Sequence, residues 1–177
     1  MAFRLALTLM MGGLVWCAGC KKPSAAPPPD PAPQVPQLHM NEAQPKLPTL
    51  KLWLGAQELD TEIARTPTQL ATGMMFRDQM AENEAMLFVF FDVGPRSFYM
   101  KNTPLPLSCA YIDPQGIILE IHDLKPLDEI PVFSKSDRVQ YVLETRQGWF
   151  ERHNVTVGTS VRTEIGPFYE TFFKRKQ

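Results

Sequence analysis

Six consecutive apolar residues, Met86-Leu87-Phe88-Val89-Phe90-Phe91, constrain the fold more than any other stretch of the chain. The run is short and stops at Asp92-Val93-Gly94-Pro95, a turn signal. An apolar run of this length between turn residues reads as a strand buried on both faces. The domain built around it therefore needs apolar cover on two sides.

The flanking residues supply further strands. Leu50-Lys51-Leu52-Trp53-Leu54 alternates apolar and other residues, Gly55-Ala56-Gln57 reads as a turn, and Leu59, Thr61 and Ile63 share one side of the next strand. The two form a hairpin. At Thr66-Pro67-Thr68-Gln69 the pattern changes to a capping box with proline at the first helical position, so a short helix is expected to run to Thr72 and stop at Gly73. Leu70 and Met74, four apart, face the core. Residues 97–100 are expected to pair antiparallel with the apolar run. Pro104 and Pro106 make 101–106 a loop. Asp113-Pro114-Gln115-Gly116 joins strands at 107–112 and 117–122 as a hairpin. Residues 125–136 form a longer loop, 139–144 a strand, 148–153 one or two helical turns with Asn154 in a left-handed cap position, and 155–165 the closing strand. This spacing predicts a mainly β fold, a jelly-roll-like antiparallel β-sandwich or open barrel with one or two short helices.

Upstream of this domain the composition changes. Residues 1–4 are a short positive start, 5–16 are mostly apolar, and Cys17-Ala18-Gly19-Cys20 follows. That is the layout of a secretory signal, and twelve apolar residues are too few to cross about 30 Å of hydrocarbon. Small residues before Cys20 resemble the lipobox of bacterial lipoproteins, although Cys17 stands where Leu is usual. The resemblance implies a signal peptide over 1–19, lipidation of Cys20, and attachment to the bacterial envelope. No Asp follows the cysteine, which leans toward the outer membrane on its periplasmic side. Residues 20–49 then read as a disordered linker, because 21–49 hold nine of the seventeen prolines. Extended at about 3.1 Å per residue, the linker could hold a domain up to roughly 90 Å from its anchor.

Residues 50–177 make one globular domain of ordinary size. Its fourteen Lys and Arg against seventeen Asp and Glu leave no basic face, which argues against nucleic acid as a partner. Cys109 is the one cysteine within it and reads as buried filler. His39, His122 and His153 have no metal-ligand spacing, and no phosphate loop or nucleophile elbow occurs, so no metal and no cofactor is expected. The tail 168–176 pairs aromatic residues with three basic ones. Ring packing on the sheet is the preferred reading, contact with a membrane surface the other.

Four phrases stand in register: Gly73-Met74-Met75-Phe76-Arg77, Met86-Leu87-Phe88-Val89-Phe90, Ser97-Phe98-Tyr99-Met100-Lys101-Asn102-Thr103, and Tyr141-Val142-Leu143-Glu144 leading to Gly148-Trp149-Phe150. Their order and spacing resemble the bacterial and archaeal family of domain of unknown function 192, over about residues 50–165. The resemblance implies a jelly-roll-like β-sandwich, often exported or lipid-anchored, with no established activity. Ser108 stands where the family often has Asp, Thr159 where Gly-Asp is usual, and Asn154 where Gly is frequent. If those aspartates hold a ligand in relatives, the site here differs; if they cap turns, little changes.

Within these phrases Arg77, Lys101, Asn102, Thr103 and Glu144 are the candidate ligand-binding residues. Basic and amide groups at strand ends suit an anionic or carbonyl-bearing ligand, with Glu144 as base or counter-ion. Structural uses stay open beside this reading: Arg77 paired with Glu144, Asn102 capping its own loop, Lys101 lying over aromatic edges. The expectation is a tethered, non-catalytic domain binding a small polar ligand, a glycan or a protein partner. A hydrolase or lyase with Lys101 and Glu144 as acid and base, and a structural factor with an exposed apolar patch, are the alternatives.

Overall fold

A computed structural model of the chain describes residues 37–174. The signal, Cys17, Cys20 and most of the Pro-rich stretch lie outside the described residues. The elements are β1 (Thr49–Leu54), β2 (Gln57–Ala64), α1 (Pro67–Thr72), β3 (Glu84–Gly94), β4 (Ser97–Phe98), β5 (Leu107–Ile112), β6 (Ile118–Leu124), β7 (Val132–Phe133), β8 (Val139–Arg146), α2 (Trp149–Arg152), β9 (Val161–Thr163) and α3 (Phe168–Phe172).

Seven strands form one sheet in the order β6-β5-β8-β3-β2-β1-β9, and β4 and β7 form a small second sheet. The chain between the two central strands β2 and β3 passes through α1, and these strands run parallel; the other pairings are antiparallel. This parallel pair departs from the purely antiparallel expectation. A crossover helix is what lets sequential neighbours run in the same direction. The sheet curls so that residues before β9 bond back to the opposite edge: Ile117 bridges Ser160, and the Val161 amide donates to the Gly116 carbonyl at 2.7 Å. Gly116 has φ +83, and a Cβ there would lie 2.6 Å from the Val161 oxygen, so only glycine permits the closure.

The apolar run in β3 is covered on both sides, as its composition requires. Leu87 and Val89 enter one core with Leu143, Tyr141 and Trp149. Met86 and Phe88 enter the other with Val142, Cys109 and Tyr111. α3 belongs to the first core, with Phe168 and Phe172 buried against the Tyr141 ring at 4.7 and 5.9 Å between centroids. Among the described residues there are thus three helices rather than one or two, and Phe168 and Phe172 of the tail pack on the sheet while Tyr169 stays exposed.

Two further expectations are corrected. Ser97–Phe98 does not pair with the apolar run but with Val132–Phe133 of the long loop. The ordered domain also begins well before residue 50. The Met40 amide donates to Thr72 Oγ1 at 3.0 Å, Gln44 is buried and donates to the Gly73 carbonyl at 2.8 Å, and the Leu47 amide donates to Glu62. The capping box at Thr66, the stop at Gly73 and the left-handed Asn154 stand as expected.

Candidate functional site

Period-2 alternation along β8 places Val142 and Glu144 on the second core, opposite Tyr141 and Leu143. Glu144 lies between Met86 of β3 and Cys109 of β5 in register. It is only 4% exposed, and its Oε2 has no hydrogen-bond partner. Burial alone pushes the Glu144 carboxyl up to about 8, so at neutral pH it is mostly an uncharged acid with a proton to donate. Its titratable neighbours stay neutral as well. Burial, with Glu144 adding to it, raises the Cys109 thiol, and burial raises the Tyr111 hydroxyl, which donates to the Val132 carbonyl at 2.5 Å.

Glu144 lines a cavity of about 340 Å³, within the range of small-molecule sites. Phe88, Phe90, Phe98, Tyr99, Met74 and Met75 make its apolar walls. Phe88 and Phe98 meet edge to face at 4.8 Å. A Cβ on Gly73 would lie 3.0 Å from the Phe88 ring, so glycine there lets the helix end close against the wall. Two of the other hydroxyls at the cavity are engaged. Thr72 Oγ1 accepts from Met40, and Thr103 Oγ1 donates to the Lys101 carbonyl at 3.1 Å. Arg96 Nε and Tyr141 Oη also lack partners, but neither residue lines this cavity. Among the described residues no cluster of His, Cys, Asp and Glu could hold a metal ion.

Three loops are stitched together beside the cavity. The Phe76 amide donates to the Asn102 carbonyl at 2.7 Å, Met100 to Asp128 at 2.7 Å, and Leu127 to Thr103 at 3.1 Å. Each loop carries a non-glycine residue in the left-handed region, namely Phe76 (φ 64), Asn102 (φ 53) and Leu127 (φ 59). Such residues cost about 1–3 kcal/mol each and persist where surrounding bonds enforce them. Two phrases that are separate in sequence, 73–77 and 97–103, are here one structural unit.

The five candidate residues do not converge. Thr103 and Glu144 line the cavity, while Lys101 and Asn102 are half-buried on the neighbouring turn and do not. Arg77 is not the partner of Glu144. It donates to both carboxylate oxygens of Glu62, at 2.5 and 2.8 Å. Burial raises the Glu62 carboxyl, but the Arg77 guanidinium and the Leu47 amide outweigh it and hold the group below the usual range. Arg77 lines a second cavity of about 800 Å³, whose other charged groups, Lys46, Asp78, Glu84 and Arg146, are of both signs. The positions that depart from the family pattern serve turns and links: buried Ser108 bonds Asp123 and accepts from the Gly148 amide at 2.9 Å, and Thr159 Oγ1 accepts from Thr156. Leu38 and His39 line the Glu144 cavity too. Sequence reading missed them because they sit in Pro-rich text with no periodicity to place them.

Residues 51–163 match a family model, DUF192, described as Uncharacterized ACR, COG1430. A crystal structure from Sinorhizobium meliloti 1021, described as a candidate transcription regulator, superposes with a TM-score of 0.65 at 33% identity, covering 68% of this chain and 98% of its own. A protein of unknown function from Novosphingobium aromaticivorans DSM 12444 gives a TM-score of 0.63 at 26% identity, covering 66% of this chain and 86% of its own. No curated protein matches the chain.

Proposed function

The chain belongs to the family of domain of unknown function 192, and from that premise we propose that its β domain is a non-catalytic binding module for a small ligand, held at the bacterial envelope by a lipid on Cys20. The observation that carries the binding reading is Glu144. A buried carboxyl with an oxygen lacking any partner is costly in a core, and here the residue that carries it lines a cavity with aromatic walls. A ligand with an apolar body and one polar group would bury its body against the rings and satisfy that oxygen. The expected ligand therefore differs from an anion bound by Arg77 and Lys101, because Arg77 is committed to Glu62 and Lys101 does not line the cavity. The same placement leaves an acid–base pair of Lys101 and Glu144 without a shared cleft.

The regulator description of the Sinorhizobium relative is not carried over as DNA binding. Fourteen basic against seventeen acidic residues over 50–177 give no electrostatic footprint for a phosphate backbone. The tether rests on residues 1–20 alone, and the outer-membrane placement on the absence of Asp after Cys20.

Ala71 lines the cavity from α1, so Ala71→Phe should fill it while leaving the sheet intact. In a screen of small aromatic molecules bearing one donor group, a binder should raise the melting temperature of the parent with the logarithm of its concentration once above Kd, and Ala71→Phe should not respond. Equal responses in both, or none in either, would sink the reading. Function would then pass to the protein-partner alternative, which the exposed Leu127, Ile130 and Phe133 of the 125–133 loop favour.

A further inference from the structure

We infer that the cavity over Glu144 is built for a small organic cation, an ammonium group carried on an apolar body. The inference rests on the binding reading above and assigns the ligand its charge.

Three ligand classes are disfavoured by the lining. An anion finds no lysine or arginine there. A sugar or other polyol needs several free donors and acceptors inside the cavity, and the buried Thr72 and Thr103 hydroxyls are engaged, which leaves only those of Ser97 and Tyr99 at exposed positions. A plain hydrocarbon leaves the Glu144 oxygen as unsatisfied as before. A weakly hydrated cation meets both features of the site. Aromatic rings present negative faces, and Phe88, Phe90, Phe98 and Tyr99 surround the space. The acid supplies the counter-charge: when the cation enters, Glu144 gives its proton to solvent and the carboxylate pairs with the ammonium.

The titratable groups facing Glu144 do not compete for that role. From β5 they are Cys109 and Tyr111, both held neutral by burial, and β3 presents Met86 and Phe88. The segment over the cavity brings His39, whose Nδ1 bonds the Met40 carbonyl at 2.8 Å, and Tyr99 stands at the wall.

The test is calorimetry on the full chain with benzyltrimethylammonium and with neutral 2-phenylethanol, run at pH 7 in buffers of different ionisation enthalpy. The cation should bind about tenfold more tightly. It should release close to one proton, about nine-tenths for a group titrating near 8. Glu144→Gln should abolish the proton release and reduce the preference to what the rings alone provide. Tyr99→Leu, at an exposed wall position, should weaken the cation several-fold and the alcohol by less. Equal affinity for the alcohol with no proton release would overturn the cation assignment while leaving the cavity a binding site. Cation binding that survives Glu144→Gln unchanged would also overturn it. Failure of both probes and of every neutral aromatic would remove the binding reading itself.

Discussion

Glu62 and Glu144 are both buried carboxyls, and their surroundings give them opposite charge states. Arg77 and the Leu47 amide keep Glu62 ionised against its burial, whereas nothing opposes burial at Glu144. The two therefore bend the stability profile in opposite directions. A depressed carboxyl contributes stability that is present above its unfolded value and lost as pH falls through its folded one. A raised carboxyl does the reverse: the folded state holds the proton more tightly, so stability declines as pH rises from about 4.5 to about 8. At roughly 1.4 kcal/mol per unit, the second effect is on the order of a few kcal/mol. The melting temperature should accordingly peak near about pH 5 and fall toward pH 8. In Glu144→Gln, which is uncharged throughout, the alkaline limb should be flat. Little of this was legible in the sequence. Alternation in 139–144 marks Glu144 as the polar partner of an apolar face, and such residues usually face solvent. It is buried because β8 is a central strand with both faces covered, a property of the sheet order rather than of the local pattern.

Among the elements, those defined by local chemistry read correctly. The capping box at Thr66, the hairpins at Gly55 and Gly116, and the doubly buried β3 each follow from turn residues or from a short apolar run. Pairing partners did not read, because side-chain period says which face is apolar and nothing about which strand lies alongside. Hence β3 took β2 as a parallel neighbour, and β4 took β7. The packed residues 37–48 were hidden by proline content, although Gln44 and Leu47 anchor them. α3 was visible only as paired aromatics. Its place in the core makes a quantitative prediction: Phe168 is fully buried, so Phe168→Ala should lower unfolding free energy by about 3–5 kcal/mol in urea titration. A loss under about 1 kcal/mol would mean that the tail is an appendage.

At the scale of the molecule, the tether and the domain make separate demands. Residues 1–20 carry the expectation of export and lipidation. Radiolabelled palmitate should be incorporated into the chain in a bacterial host and lost in Cys20→Ala, and incorporation that persists in that variant would place the lipid elsewhere. Leu38 and His39, which the sequence reading placed in the linker, form part of the cavity wall. Fold class was readable from motif phrases and composition, and two of the five candidate residues, Thr103 and Glu144, line the cavity. The identity of the site was not readable, because Arg77 looks like a ligand group until the structure shows it holding Glu62, and Lys101 and Asn102 until it shows them off the cavity wall.

The most direct measurement is a ¹³C NMR titration of the Glu144 carboxyl carbon, assigned by comparison with Glu144→Gln. The account predicts a midpoint near 8 in the free protein, falling when benzyltrimethylammonium saturates it. A midpoint in the ordinary carboxylate range near 4.5, unmoved by the probe, would contradict it.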